Sequence, residues 1–341
     1  MKSISVADAV GTVLCHDITE IVPGVCKGPA FRRGHIVQAD DIEHLRRLGK
    51  EHIYVWEDED GMVHEDEAAY RIAKAIVGEG IVYGDPKEGR INFIAEHRGL
   101  LSINLELLER LNSIPHITIA TLHTMQGVAK GRQVAGTRVI PLAVPESSLV
   151  AVEACCAHEP LLTVKPFQEH RVGIVTTGSE VFSGRIKDAF GPVLQKKLSH
   201  LGVPVLGQQF VPDDIDLTAH AIEKSLNDGA SFVVVTGGMS VDPDDKTPGA
   251  IKQVASEVVG YGAPVFPGAM FMVAYKGTIP ILGLPGCVMY HKASIFDVLL
   301  PRLLAGVRLT RRDIVSLAHG GFCEGCPECH YPACGFGKAL F

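Results

Sequence analysis

From about residue 169 onward, apolar and polar positions alternate in a regular way. Short β-branched runs are followed by stretches with helical spacing. Arg171-Val-Gly-Ile-Val-Thr176 reads as a strand. A helix follows Asp188 and Pro192 and stops at Gly202. Val203 to Phe210 is a second strand, and Pro212-Asp213-Asp214 caps a helix over 215–228 that Gly229 ends. Phe232-Val-Val-Val-Thr236 is a third strand, apolar throughout. It runs into Gly237-Gly238, an acidic loop, and a helix over 248–259 with Thr247 as N-cap and Pro248 at its first position. Residues 280–284 form a further short strand, ahead of Pro285-Gly286-Cys287 and a long apolar helix over 288–304. Strands alternating with helices of this length predict right-handed crossovers and a parallel sheet covered on both faces.

The leading part is patterned differently. Residues 1–57 read as a small α+β unit. It has a strand-like Val10-Gly-Thr-Val-Leu14, a capped helix at 40–49 with Asp40 or Asp41 as N-cap, and a strand at Ile53-Tyr-Val-Trp56. The run Glu57-Asp-Glu-Asp-Gly61 breaks that pattern and marks a boundary. Residues 58–168 read as a mixed, β-rich domain. Helical spacing is expected over 66–77 and 101–111, a strand over 117–122, and short hairpin strands around Lys130-Gly-Arg132 and Gly136–Ile140. The regular α/β domain then spans 169–318, and a cysteine-rich tail spans 319–341.

Composition narrows the classes of function. Of the 341 residues, 46% are apolar and 21% charged, which supplies real cores and argues against disorder. A net charge of −7 leaves no electrostatic footprint for nucleic acid. No apolar run reaches membrane-spanning length, and Asp8 sits where a signal peptide would be apolar. The expectation is a cytoplasmic protein whose partners are metabolites or proteins. Its nine cysteines would then be reduced, metal-bound or redox-active rather than structural disulfides. His16, His97, His116 and His123 are scattered without ligand spacing, and Cys155-Cys156 reads as an inert apolar pair.

Ligands of a parallel sheet bind outside the carboxyl ends of its strands. Three strand ends carry special turns: Thr177-Gly178-Ser179-Glu180, Thr236-Gly237-Gly238-Met239-Ser240 and Pro285-Gly286-Cys287. Glycines let a backbone approach phosphate, and helix N-termini favour anions. The aspartates after the second turn suit a bound cation, or are merely solvated. Three such turns on one edge point to a phosphate-bearing ligand.

These residues resemble the molybdopterin-binding domain shared by MoeA, MogA and gephyrin, the family that completes the molybdenum cofactor. The resemblance covers 169–306. It rests on Thr177–Glu180, Gly184-Arg-Ile-Lys-Asp188, Val211-Pro-Asp-Asp214, Thr236–Ser240 with Asp245, and Leu284-Pro-Gly286. Residues 1–168 resemble the leading domains of the MoeA arrangement, with Lys130–Gly136 as one such segment. The resemblance implies a MogA/MoaB-like three-layer α/β domain. It also implies Mg²⁺, molybdate, and molybdopterin or adenylylated molybdopterin as substrate. The reaction would be molybdate insertion with release of AMP. The alternatives are MogA-like adenylylation, or a carrier or sensor that binds pterin without turnover. By carry-over, Asp188 and Asp245 are the Mg²⁺ and catalytic carboxylates. Thr177, Gly178, Ser179 and Glu180 hold phosphate or pterin from one side. Thr236, Gly237, Gly238, Met239, Ser240 and Lys246 form the other wall, with Pro285, Gly286 and Cys287. The family's homodimers and homotrimers imply an oligomer, and a molybdoenzyme is a conceivable recipient of the product.

The chain departs from the pattern at several positions. Pro267-Gly268-Ala269-Met270 replaces Pro-Gly-Lys-Pro and so removes a lysine. Asp242 replaces a glycine, Asp188-Ala189-Phe190 replaces Asp-Ser-Asn, and Cys287-Val288 replaces Asn-Pro. Cys287 reads either as a ligand near the metal or dithiolene or as a small residue filling the Asn slot. Outside the pattern, Cys323, Cys326, Cys329 and Cys334 fall within one short segment, with His330 among them. Thiolates so grouped suit Zn²⁺ or an iron–sulfur cluster, and the spacing does not choose between them.

Overall fold

A computed structural model describes residues 2–22, 24, 26–55 and 60–338. Trp56 and most of the Glu57–Gly61 boundary run lie outside these residues. The chain separates into two compact units. One takes in residues up to His97 together with 103–122 and 130–164. The other takes in 98–102, 123–129 and everything from Lys165.

In the first unit, Lys2–Ser5 pairs antiparallel with His52–Val55, and Ile18–Val22 with Cys26–Phe31. Val6, Leu14, Ile18, Phe31, Leu45 and Ile53 form the core between them. A four-stranded sheet follows, in the order Ile81–Tyr83, Arg90–Ala95, Gln133–Val139, Ile117–Thr121. The expected helix over 66–77 is Glu65–Ile76, with His64 accepting the Asp66 N–H as its cap. The helix expected over 101–111 begins later, at Leu105, because Asn104 caps it by accepting the Leu107 N–H at 3.0 Å. The preceding apolar run Gly99–Ile103 is a strand instead, and part of it pairs with Gln126–Val128 in the second unit. Four to six consecutive apolar residues fit either period, and the asparagine was the signal that separated them. The helix Glu146–Cys156 has little amphipathic signature and was not visible in the pattern.

The second unit is a three-layer α/β/α sandwich around a six-stranded sheet. The order is Val205–Val211, Val172–Thr177, Phe232–Thr236, Ile279–Leu284, Met272–Lys276, Glu257–Tyr261. The first four strands are parallel, Met272–Lys276 runs antiparallel to Ile279–Leu284, and Glu257–Tyr261 antiparallel to Met272–Lys276. The period of two is visible inside the fully buried strands. Val172, Ile174, Phe232 and Val234 face one layer, with Leu194, Leu198, Phe296 and Leu299. Val175, Val233 and Val235 face the other, with Ile222 and Ile251. Gly173 lets the Ile215–Asn227 helix come close, since a Cβ there would sit 2.7 Å from the Ser225 Cβ.

Three expectations in this unit are corrected. The helix after the acidic loop is Thr247–Val254 and does not reach 259, because Glu257–Tyr261 leaves to form an edge strand. Thr247 is not its cap. The Thr247 hydroxyl donates to the Gly237 carbonyl at 2.8 Å, and Lys246 holds the N-cap position. The long helix over 288–304 is two pieces, Cys287–Tyr290 and Ile295–Leu304. Ser294 and Asp297 form a capping box that starts a new helix between them. The Met272–Lys276 strand was not anticipated.

The Phe232–Thr236 strand can leave the sheet where it does only because residue 237 has no side chain. Gly237 has φ +87°, and a Cβ there would lie 2.2 Å from the Thr177 carbonyl oxygen. Gly237→Ala is therefore expected to destabilise the second unit by about 2 kcal/mol or more, read as a lower urea midpoint with unchanged slope.

A second test concerns Glu65. Its side chain is 6% exposed, and burial, reinforced by the Asp66 charge, raises its carboxyl to about 7. A carboxyl with a raised folded-state value contributes stability that is present below its ordinary 4.5 and lost as pH climbs through about 7. Between those values the folded protein holds the extra proton. Glu65→Gln is expected to flatten the fall in stability between pH 5 and 8 and to recover on the order of 2–3 kcal/mol at pH 8, measured by urea unfolding.

Candidate active site

The sheet order brings the three special turns to one edge. Thr176, Thr236 and Leu284 stand side by side in register on adjacent parallel strands, and a turn follows each. A cavity of about 500 Å³ opens there. The second turn lines it with Gly237, Gly238, Met239, Ser240 and Asp245, and the third with Pro285, Gly286 and Cys287. Phe190 and the segment Phe266, Pro267, Gly268, Ala269 and Met270 complete the wall.

The second turn is held from below. Thr247 N–H donates to the Gly238 carbonyl at 3.2 Å, and the Thr247 and Thr177 hydroxyls stand 3.2 Å apart. Tyr261 donates its hydroxyl to the carbonyls of Met239 at 2.8 Å and Ser240 at 3.2 Å. Burial, then the Asp245 charge, pushes the Tyr261 phenol up, so it stays a donor at neutral pH. The acidic loop closes on itself. The Asp245 N–H donates to the Asp242 carbonyl, and the Asp242 N–H to the Asp245 Oδ2 at 3.1 Å. Asp245 thus keeps acceptor capacity toward the cavity.

Several expected site residues do other work. Asp188 accepts from the N–H groups of Phe190 at 2.9 Å and Gly191 at 3.1 Å, and from Gln208 Nε2 at 2.7 Å. From the residue before the N-cap Ala189 it holds the first two amides of the Phe190–His200 helix, and so sets the position of Phe190 at the cavity. Gln208 also donates to the Thr176 hydroxyl, to which Thr236 donates as well. Thr236 is fully buried in this polar row, behind the cavity. In the first turn, Ser179 N–H donates to Asp213 Oδ2 at 2.8 Å and Gly178 lies against the Glu180 carboxylate. Thr177, Gly178, Ser179 and Glu180 do not line the cavity. Lys246 Nζ turns to the Pro243 carbonyl. The Cys287 thiol, raised by burial, stays protonated at neutral pH.

The pattern had pointed to the glycines, Asp245 and Cys287. It had not pointed to Phe190, Phe266 and Met270 as walls, although Phe190 and Met270 lie in segments where the chain departs from the family pattern. Nothing in the sequence marked Tyr261. Away from this edge, Cys155 and Cys156 end a helix rather than begin one, and burial raises the Cys156 thiol to about 11. The tail cysteines all line a second cavity, with Cys323 and Cys334 half-buried and Cys326 and Cys329 exposed. Among the described residues, no three His, Cys, Asp or Glu side chains stand ready to hold a metal ion. No described helix is long and apolar enough to cross a membrane.

Comparison with known proteins adds the following. Residues 173–305 match a family model described as a probable molybdopterin binding domain, and residues 3–57 match a domain of unknown function. A molybdopterin molybdenumtransferase of Synechococcus elongatus is 26% identical over 144 residues, covering 39% of this chain and 36% of that protein. A CinA-like protein of Syntrophus aciditrophicus is 39% identical over 83 residues, covering 24% of this chain and 19% of that protein. The tungsten cofactor synthesizing protein MoaB of Pyrococcus furiosus is 19% identical, with 42% of this chain and 99% of that one covered and a TM-score of 0.34. The chain spans about a third of the length of the molybdenumtransferases it matches. Over residues 173–305, less than half of its length, the chain is thus similar to molybdopterin-binding domains of molybdenum cofactor biosynthesis.

Proposed function

We propose that the chain binds molybdopterin, most productively its adenylylated form, in the cavity at the sheet edge, and that it inserts molybdate there with release of AMP. One observation carries this reading: a side-chain-free Gly237-Gly238 backbone and the Asp245 carboxylate face the same 500 Å³ space. Backbone N–H groups on glycine approach phosphate closely, and the Thr247–Val254 helix begins immediately after the acidic loop. Phe190, Phe266 and Met270 give flat apolar walls suited to a pterin ring. Asp245 would hold Mg²⁺, whose chemistry is to neutralise phosphate charge during transfer. Asp188, saturated by N–H donors, acts by fixing Phe190 and the start of its helix. Tyr261 and Thr247 keep the second turn in place.

Another reading, pterin binding without turnover, has its own support. None of the residues lining the cavity is a lysine or arginine, and Lys246 is turned aside. Anaerobic incubation with adenylylated molybdopterin, Mg²⁺ and molybdate separates these readings by AMP release. Accumulation of adenylylated pterin from molybdopterin and ATP would instead indicate adenylyl transfer.

Asp245→Asn is expected to slow AMP release by about 10²-fold while changing pterin affinity only a few-fold, measured by single-turnover assay and fluorescence titration. Asp188→Asn keeps an acceptor oxygen for the Phe190 and Gly191 amides. It is expected to leave AMP release within about threefold. A loss as large as that of Asp245→Asn would put Asp188 on the cation.

A further inference from the structure

The cysteine tail is not a loose end. Gly337 N–H donates to the Gly320 carbonyl at 2.9 Å, closing the segment into a loop. Gly320 has φ +82°, and a Cβ there would lie 3.0 Å from the Lys338 carbonyl oxygen, so the neck is tight. Phe336 is buried in the main core, and its ring meets that of Tyr331 edge-on at 6.1 Å. Tyr331 donates its hydroxyl to the Asp297 carbonyl at 3.1 Å. On the entering side, Phe322 bridges Phe266, and the Cys323 N–H donates to the Phe266 carbonyl at 2.8 Å. Neck and flanks are thus fixed.

The turn between them is not held in the same way. Among the described residues, the backbone from Glu324 to Ala333 makes one hydrogen bond within itself, Ala333 N–H to the His330 carbonyl. Cys326 and Cys329 ride on this turn and are exposed, while Cys323 and Cys334 sit half-buried at its base against the core. All four line one cavity of about 480 Å³, together with His330 and His291. Buried cysteines can be explained as small apolar residues, but that explanation fails for the two exposed ones. A short loop without a core of its own commonly draws its order from a metal that its thiolates gather around.

We propose that this loop is a soft-metal site. The thiolates of Cys323 and Cys334 at the base and of Cys326 and Cys329 on the turn take Zn²⁺ or an iron–sulfur cluster. Each thiol loses its proton to solvent as its sulfur bonds the metal. The turn must draw in on loading, since no three ligands already stand together.

The test uses the full chain purified anaerobically. Elemental analysis is expected to find about one Zn²⁺ per chain. Alternatively it finds iron with acid-labile sulfide and a broad visible absorption, which assigns the cluster. The double variant Cys326→Ser/Cys329→Ser changes only exposed positions. It is expected to keep its circular dichroism and lose the metal. Hydrogen exchange across 324–333 should be slower in metal-bound wild type than after chelation, whereas exchange at 172–177 should not change. Failure to take up stoichiometric metal, either as isolated or after reconstitution with Zn²⁺ or with Fe²⁺ and sulfide, overturns the proposal. Full metal retention in the double variant overturns it as well.

Discussion

The passage of Gly237 beneath the carbonyl of Thr177 is the constraint on which the candidate site depends. Two parallel strands end at the same level, and the chain leaving the second must turn under the first without a side chain. The turn that results has its carbonyls engaged from below by Thr247 and from the side by Tyr261. Its upper surface remains open to the cavity. Rigidity here comes from hydrogen bonds to backbone and from Met239, the one turn residue with a large side chain, which is buried in the core. Such a floor can offer N–H groups to an anion without rearrangement.

A polar row runs just behind that floor. Thr236, Thr176, Gln208 and Asp188 are linked side chain to side chain across three strands and a helix start. A row of this kind in the middle of an apolar sandwich is tolerable only because each member has a partner. It ties the position of Phe190, a cavity wall, to the strand tips on the other side. The cavity is thereby shaped by residues that do not touch its contents. The lining itself is apolar and acidic, and none of its described residues is a lysine or arginine.

The second unit was legible in the sequence because its central strands are buried on both faces and its turns carry glycine and proline. Both signals are local. Phe232–Thr236 could be read residue by residue, and so could the turn after it. What was not legible depended on partners far along the chain. Val258 and Val259 have the same apolar character in a helix or an edge strand, and only pairing with Met272–Lys276 decides the matter. Thr247 looked like a cap because threonine before proline usually is one, but its hydroxyl found the Gly237 carbonyl instead. Asp188 looked like a metal ligand by position, and the geometry gives its oxygens to Phe190, Gly191 and Gln208. Leu101 fits a helical period as well as a strand, and only the start signal at Asn104 separates the two.

The return of the C-terminal segment onto the α/β sandwich has a practical consequence for dissecting this protein. The family match stops at residue 305, yet Phe336 fills part of the same core and Gly337 lies against Val298. A fragment trimmed to the recognisable domain would expose the outer side of the Ile295–Leu304 helix to water. It would also strip Phe266 of its bridging neighbour Phe322. Boundaries drawn from similarity alone would cut through a single folded body.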